Sequence, residues 1–212
     1  MNQFNNILLE AQRLHVEQVF EGFEILGFET RNKYRILDEN KRPVAYAAEQ
    51  SKGILASIMR QFMGHWRSFD VMVFDQNREH AFTFQFPFRW FFKTLIAVDK
   101  EGKEIGHLQQ RFAFFRKKFD VVGTHGRVIA RINSPLFKFW TFEFMFNGRK
   151  LGTVQKKFGG VMSEFFTDKD NFIVSYAQPD LELETKVLML ATCLMVDVVY
   201  FEKKGSGSIL DG

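Results

Sequence analysis

Three oxygen-bearing residues close together in the sequence have the chemistry of a cation site. Asp168, Asp170 and Asn171 lie almost side by side, and Ca²⁺ prefers clustered carboxylate and amide oxygens. An EF-hand loop counted from Asp168, however, would have Tyr176 at its ninth position and Pro179 at its twelfth, where ligands belong. The sequence therefore predicts either weak calcium binding or an ordinary acidic turn.

Two short runs of cations border aromatic residues. Arg116, Lys117 and Lys118 follow phenylalanines, and Lys156 and Lys157 precede one. Cations beside aromatic rings could contact anionic lipid headgroups while the rings approach the acyl boundary. The alternative is a pair of solvated turns whose aromatic residues belong to the core. Under the first interpretation these five residues form a lipid- or phosphate-binding surface.

The residue patterns of common enzymes are missing from the sequence. The five histidines have no paired metal-ligand spacing, and there is neither a G-x-S-x-G elbow nor a P-loop. We therefore predict no bond-making catalysis. The net charge of +4 is modest and no nucleic-acid-binding motif is present, so a nucleic-acid partner is not expected.

Most of the chain has the pattern of short β-strands joined by turns. From Trp140 to Phe146 every second residue is aromatic, and Asn147-Gly148 then supplies the positive φ angles of a tight hairpin turn. Segments of this kind predict about ten to twelve strands, and so large a sheet is expected to close or split. Before them, Asn5 and Asn6 precede an apolar stretch that could be a short Asn-capped helix.

The C-terminal element is different, because it is apolar on nearly every side. We predict a helix from Leu181 to Glu202 in which Lys186, Cys193 and Asp197 are buried. Its uninterrupted apolar run is shorter than the roughly 20 residues that cross a bilayer, and Asp197 would add about 2.5–3.5 kcal/mol to insertion. A core helix is favoured over a membrane span.

Composition and cysteine content predict one domain in a reducing compartment. The 27 phenylalanines and only four prolines favour a packed interior, and the single cysteine cannot form an internal disulfide. No secretory signal is recognisable at the N-terminus, which favours a cytoplasmic location. We expect one domain over residues 1–204, followed by a flexible tail over residues 205–212.

In the order of its motifs the chain resembles the phospholipid scramblase family, within the Tubby-like superfamily. Residues 28–36 are similar to its "FET-x-N-x-Y-x-I" segment and residues 104–110 to its "IG-x-hydrophobic-x-Q" strand. Residues 152–168 resemble its "G-x-I-x-K…G…E-x-F-T-D" block, and Lys186 and Asp197 match its final helix. Two features depart from the family. Residues 90–93 replace a cysteine-rich palmitoylation segment, and the proline-rich N-terminus is missing, as in a short form.

The resemblance implies a mainly β fold, a closed antiparallel barrel of about twelve strands around a central C-terminal helix. It implies ATP-independent lipid translocation or membrane-lipid organisation, with Ca²⁺ at residues 168–171. The expected partner is an anionic phospholipid surface, with a peripheral location at the inner face of the plasma membrane. The alternative is a soluble barrel that binds anionic lipids, phosphoinositides or a protein partner without scrambling.

Overall fold

The computed structural model describes residues 2–19, 32–50, 68–87, 94–111, 118–134, 140–157 and 171–200. These residues form two helices and twelve strands. In chain order they are α1 (Gln3–Glu10), β1 (Arg13–Gln18), β2 (Lys33–Leu37), β3 (Pro43–Gln50), β4 (Phe69–Asp75), β5 (His80–Phe86), β6 (Thr94–Asp99), β7 (Glu104–Arg111), β8 (Lys118–Gly123), β9 (Val128–Asn133), β10 (Thr141–Phe146), β11 (Arg149–Lys157), β12 (Asn171–Tyr176) and α2 (Leu183–Tyr200).

The strands form one closed antiparallel barrel. Each strand pairs with its neighbours in the chain, and β12 pairs with β1, from Arg13 opposite Ser175 to Glu17 opposite Asn171. The predicted closed barrel of about twelve strands around a C-terminal helix is confirmed. Closure leaves none of the described strands with an open edge that could pair with another chain.

Alternation of side chains explains why these segments are strands. In β10, Phe142 and Phe144 are fully buried in the barrel, whereas Thr141 and Glu143 are partly exposed on its outside. Successive side chains of a strand point to opposite faces, so a period of two in the sequence becomes an inner and an outer surface. The predicted hairpin follows, with positive φ at both Asn147 and Gly148.

Four of the hairpin turns share one five-residue hydrogen-bond pattern. The first residue donates its N–H to the carbonyl of the fifth and accepts from the N–H of the fourth, which has a positive φ. In the first three turns the first residue is an aspartate whose Oδ1 accepts from the third and fifth backbone N–H groups. The turns begin at Asp38, Asp75, Asp99 and Gly123.

The meander gives the barrel two different ends. The short hairpin turns at residues 38–42, 75–79, 99–103, 123–127 and 147–148 all lie at one end, here called the turn end. Residues 20–31, 51–67, 88–93, 112–117, 135–139 and 158–170 connect the strands at the opposite end, here called the loop end. The two ends therefore differ in the length of the chain that joins their strands.

Helix α1 packs against the turn end of the core. The Asn2 side chain accepts from the N–H of Asn5 at 2.9 Å and caps the helix. The predicted Asn-capped helix is present, but Asn5 and Asn6 lie within it and are not its cap. Phe4 and Leu8 are fully buried, and the Phe4 ring lies 6.1 Å from that of Phe82.

Helix α2 lies inside the barrel and runs from the turn end towards the loop end. It begins at Leu183, two residues after the predicted Leu181, and follows a turn at residues 179–180. The predicted end at Glu202 and the tail lie outside the described residues. The helix packs on α1, β6, β7, β8, β11 and β12. Glycines make room on this wall: a Cβ at Gly106 would come 2.9 Å from Leu188 Cδ1, and one at Gly152 would clash with Met189.

Candidate functional site

The described basic residues of the predicted lipid surface are placed on two separate strands. Lys118 begins β8 on the outside of the barrel, opposite Arg111 and Asn133 of its neighbouring strands. Lys157 ends β11 and is exposed. Both lie at the loop end, but β9 and β10 run between their strands. Arg116 and Lys117 lie outside the described residues.

Lys156 is buried, so its prediction as a lipid-facing residue is wrong. Its side chain is fully buried within the barrel, and its ammonium lies 5.0 Å from the centre of the Phe172 ring. Strand alternation is the cause, because Gly152, Val154 and Lys156 share the inner face of β11. Lys157, the next residue, points outward for the same reason.

The predicted calcium residues are largely outside the described part of the chain. Asp168 and Asp170 belong to the undescribed connection between β11 and β12, and the backbone of Asn171 begins β12 opposite Glu17 and Lys157. Among the described residues there is no group of three or more His, Cys, Asp or Glu side chains that could hold a metal ion. Calcium binding stays a prediction.

At the loop end, α2 is joined to the barrel wall by a buried charged cluster. Asp197 Oδ1 lies 3.2 Å from the ammonium of Lys156, and Asp197 Oδ2 accepts a 2.8 Å hydrogen bond from the Tyr34 hydroxyl. The side chains of Lys156 and Asp197 are 0% and 6% exposed. We call Tyr34, Lys156 and Asp197 the Asp197 cluster. Removal of one partner would leave a buried charge without compensation, which costs several kcal/mol.

At the turn end, Lys186 joins α2 to α1. Its ammonium donates to the carbonyls of Leu9 and Ala11 at 2.5 and 3.0 Å, where the last carbonyls of a helix lack partners within the helix. Burial lowers the pKa of Lys186. Its ammonium also lies 5.0 Å from the centre of the Tyr176 ring, and the Tyr176 hydroxyl donates to the Lys186 carbonyl at 3.3 Å.

Glu184 provides a third polar contact between α2 and the wall. Its Oε1 accepts from the Thr124 N–H at 2.6 Å and lies 3.3 Å from the Thr124 hydroxyl. Thr124 lies in the turn that begins at Gly123, which is the one of the four similar turns whose first residue is not an aspartate. A Cβ at Gly123 would clash with the same Glu184 oxygen. Here a carboxylate of the helix accepts from the N–H of the second turn residue, whereas in the other three turns the aspartate accepts from the third and fifth N–H groups.

A chain of buried amides and a carboxylate lies at the loop end of β1 to β3. Gln18 donates to Asn32 Oδ1 at 3.3 Å, and Asn32 donates to Glu49 Oε2 at 2.8 Å. All three residues are buried. Together with Tyr34, they make the loop-end part of the interior polar on this side, whereas the centre of the barrel is aromatic and aliphatic.

The sequence identified some of these residues but not their partners. Lys186, Cys193 and Asp197 are all buried. Burial raises the pKa of the Cys193 thiol, and the nearby Asp197 raises it further, so the unreactive thiol form is favoured. The roles of Tyr34, Lys156, Glu184 and Thr124 were missed. The parity of β11 could have revealed Lys156, but no local signal links Glu184 with Thr124, sixty residues away.

Charge is divided unevenly between the described residues and the loop-end connections. The described residues contain seventeen Lys and Arg and seventeen Asp and Glu. The six loop-end connections contain ten Lys and Arg and six Asp and Glu, a difference of four that equals the net charge of the chain. No helix in the described part of the chain is long and apolar enough to cross a membrane.

These observations define a helix-filled, closed β-barrel whose central helix is tied to the wall by polar groups at both ends. The family model described as Scramblase matches residues 1–203, and the chain belongs to this family. The resemblance found in the sequence motifs is therefore confirmed.

Similar proteins include several phospholipid scramblases. A phospholipid scramblase family protein of Schizosaccharomyces pombe is 26% identical, with 96% of this chain and 63% of that protein covered. Phospholipid scramblase 2 of Bos taurus is 27% identical, with 92% and 70% covered. Phospholipid scramblase 1 of Homo sapiens is 25% identical, with 94% and 66% covered. The chain thus spans roughly two thirds of the length of these relatives.

Proposed function

We propose that this protein translocates or organises membrane phospholipids without ATP and without making or breaking covalent bonds. The observation that carries this proposal is the match of the Scramblase family model to nearly the whole chain. A lipid mover of this kind needs a membrane surface and a route for headgroups. It needs no catalytic side chains.

The filled barrel restricts where that route can run. Residues from Val187 to Val196 are at most 1% exposed, so α2 occupies the space through which a headgroup would have to pass. Hydrocarbon cannot satisfy exposed backbone groups, so a lipid path also cannot open through a broken sheet at low cost. We therefore propose that headgroups move along the outside of the barrel or between copies of it.

The charge distribution supports the loop end as the surface that meets the membrane. The excess of positive charge belongs to the connections at this end, and Lys118 and Lys157 flank two of them. Near an anionic leaflet each Lys or Arg contributes about 1 kcal/mol of attraction. We propose a peripheral location at the inner face of the plasma membrane, where anionic lipids are the partner.

Calcium binding by Asp168, Asp170 and Asn171 is a further part of this proposal. Its support is the resemblance of this segment and the affinity of hard cations for clustered carboxylates. A bound Ca²⁺ beside Lys157 would raise the local positive charge at the loop end and strengthen attraction to anionic headgroups.

The test is a lipid-translocation assay with the purified chain in anionic liposomes that carry a fluorescent lipid. Dithionite bleaches only the outer leaflet, so bleaching well beyond that leaflet, without leakage, indicates translocation. Protein-free and deliberately leaky vesicles are the controls. A plateau at the protein-free level, with protein demonstrably bound, would refute translocation and leave the soluble lipid-binding barrel as the function.

A second arm of the same assay tests calcium. Chelator should reduce the activity of the unmodified chain, and Asp168→Asn with Asp170→Asn should behave like chelator. Asp180→Asn is the matched control, because Asp180 is exposed near the turn end. Equal activity with calcium and with chelator would remove calcium from the proposal without affecting translocation.

A further inference from the structure

The charge of Asp197 distinguishes the two environments that α2 could occupy, the barrel interior and a membrane. Between Val187 and Tyr200, Asp197 is the single charged residue of α2. The other polar side chain with a described hydrogen bond there is Thr192, whose hydroxyl donates to the Leu188 carbonyl within the helix at 2.9 Å. Apart from Asp197, this stretch of α2 is therefore compatible with an apolar environment.

Inside the barrel the Asp197 carboxylate has specific partners. Lys156 on β11 and Tyr34 on β2 contact different oxygens of the carboxylate from different parts of the wall. These partners belong to the wall and cannot leave with the helix. In a membrane the same carboxylate would lack both partners, and a charged side chain on an otherwise apolar stretch of helix opposes transfer into lipid.

We propose that the Asp197 cluster is a retention lock: it makes the barrel, and not the apolar layer of a nearby membrane, the favoured environment of α2. Lys156 and Tyr34 stabilise the charge in one location, and hydrocarbon rejects it in the other. The apolar run of α2 is too short to span a bilayer, so a released helix would lie in the membrane interface. The proposed lock depends on the proposed function in one respect only: the protein must meet a membrane.

Two substitutions distinguish a lock from a contribution to stability. Asp197→Leu removes the charge from α2 and leaves Lys156 buried without its carboxylate, so it weakens retention and favours membrane entry. Lys156→Met also breaks the buried ion pair, but Asp197 stays on the helix and still opposes entry. Both variants destabilise the barrel, and only the first makes α2 more compatible with lipid.

The experiment measures flotation of the full chain at neutral pH with neutral phosphatidylcholine vesicles, which avoid electrostatic binding. Asp197→Leu should raise the ratio of bound to free protein by about tenfold or more over the unmodified chain, because it replaces a charge with an apolar group in the stretch that would contact lipid. Lys156→Met and Tyr34→Phe should each raise it by no more than a few fold, because the Asp197 carboxylate stays on the helix in both variants. Asp197→Asn, which keeps the shape of the side chain, tests the same charge if Asp197→Leu does not fold in solution.

A second measurement reports whether α2 has left the barrel. Cys193 is the only cysteine of the chain and is fully buried in α2, so a lipid-soluble maleimide should label it in membrane-bound Asp197→Leu but not in the unmodified protein. Equal flotation and labelling of Asp197→Leu and Lys156→Met would show that unfolded chain binds, and would overturn the lock. So would a folded Asp197→Asn that binds no better than the unmodified chain. Neither result depends on lipid translocation.

Discussion

At the scale of single residues, burial changes the chemistry of the groups around α2. Tyr176 is buried against Lys186, and desolvation raises its pKa well above the ordinary value, with a smaller contribution from Cys193. Burial also raises the pKa of the Cys193 thiol. Both groups are therefore held neutral in the folded barrel at pH values where they would begin to ionise in the unfolded chain.

Tyr176 should make the barrel sensitive to alkaline pH. Its pKa is about 10 in the unfolded chain and higher in the folded one, so above pH 10 the folded state binds more protons and stability falls as pH rises, by at most about 1.4 kcal/mol per pH unit. Tyr176→Phe removes this loss. Urea unfolding should be measured from pH 8 to 11. The excess free energy of unfolding of the unmodified chain over Tyr176→Phe should decrease above pH 10. A constant difference would contradict the prediction.

Lys186 should contribute to stability through α1. Lys186→Met removes the charged donor that binds the partly buried carbonyls of Leu9 and Ala11, and hydrogen bonds to a charged group contribute about 1.5–3 kcal/mol. The free energy of unfolding should fall by that amount. Lys103→Met is the matched control, because Lys103 is an exposed lysine at the same end of the barrel. The same small effect for both variants would mean that the contact with α1 is unimportant.

At the scale of elements, the position of α2 is set by contacts of two kinds. Glycines on β7 and β11 allow the helix close to one wall, while phenylalanines fill the rest of the interior. Polar groups then fix its position along the barrel, with Glu184 and Lys186 near one end and Asp197 near the other. Apolar packing alone tolerates sliding of a smooth helix, whereas paired charges do not.

Glu184 should couple the start of α2 to the turn that begins at Gly123. Glu184→Ala removes the acceptor of the Thr124 N–H and should cost about 1–2 kcal/mol of stability. Glu182→Ala is the control. It changes an exposed glutamate that makes none of these contacts, so it should have little effect. Gly123→Asp should be more damaging in the unmodified chain than in Glu184→Ala, because a Cβ at Gly123 would clash with Glu184 Oε1. Additive effects in this double-mutant cycle would show that the two positions do not interact and would refute the predicted clash.

Gly152 should be intolerant of even a methyl group. A Cβ there would clash with the Ser175 carbonyl and the Met189 side chain. Overpacking of this kind costs about 1–3 kcal/mol, so Gly152→Ala should lower the midpoint of urea unfolding. Met189→Ala should rescue the variant only in part, because the Ser175 carbonyl belongs to the backbone of β12. Full rescue would show that the methionine side chain alone accounts for the steric clash.

At the scale of the whole molecule, the two ends of the barrel have different compositions. Five short turns close one end, and α1 packs beneath them. The connections at the other end contain the excess of positive charge. A barrel with such an asymmetry should bind an anionic surface in one orientation, because the attraction depends on which end approaches.

Charge reversal at the two ends should therefore have unequal effects. Lys118→Glu with Lys157→Glu changes the loop end, and Lys100→Glu with Lys103→Glu makes the same charge change at the turn end. Pelleting with anionic vesicles at low salt should fall about tenfold or more for the first pair, at about 1 kcal/mol per cation, and change little for the second. Equal losses would show that net charge matters and orientation does not.

Much of the fold could be predicted from the sequence, since local patterns carry it. Alternating phenylalanines such as Phe142 and Phe144 identified strands, and Asn147-Gly148 identified a hairpin. The number of strands then indicated closure, and an all-round apolar segment had to be surrounded. Lys186, Cys193 and Asp197 were recognisable as interior residues because they interrupt or belong to that segment.

The elements, and the kind of surface that each must bury, could be predicted from the amino-acid sequence because the periods of strands and helices are local. The partners of the buried polar groups became visible only in the folded barrel. Lys156 and Lys157 look alike in sequence, yet strand parity in the closed barrel puts one beside Asp197 and the other in solvent. Glu184 meets Thr124, and Tyr34 meets Asp197 from the opposite end of the chain. Such contacts depend on the depth at which α2 sits in the barrel, which long-range packing determines.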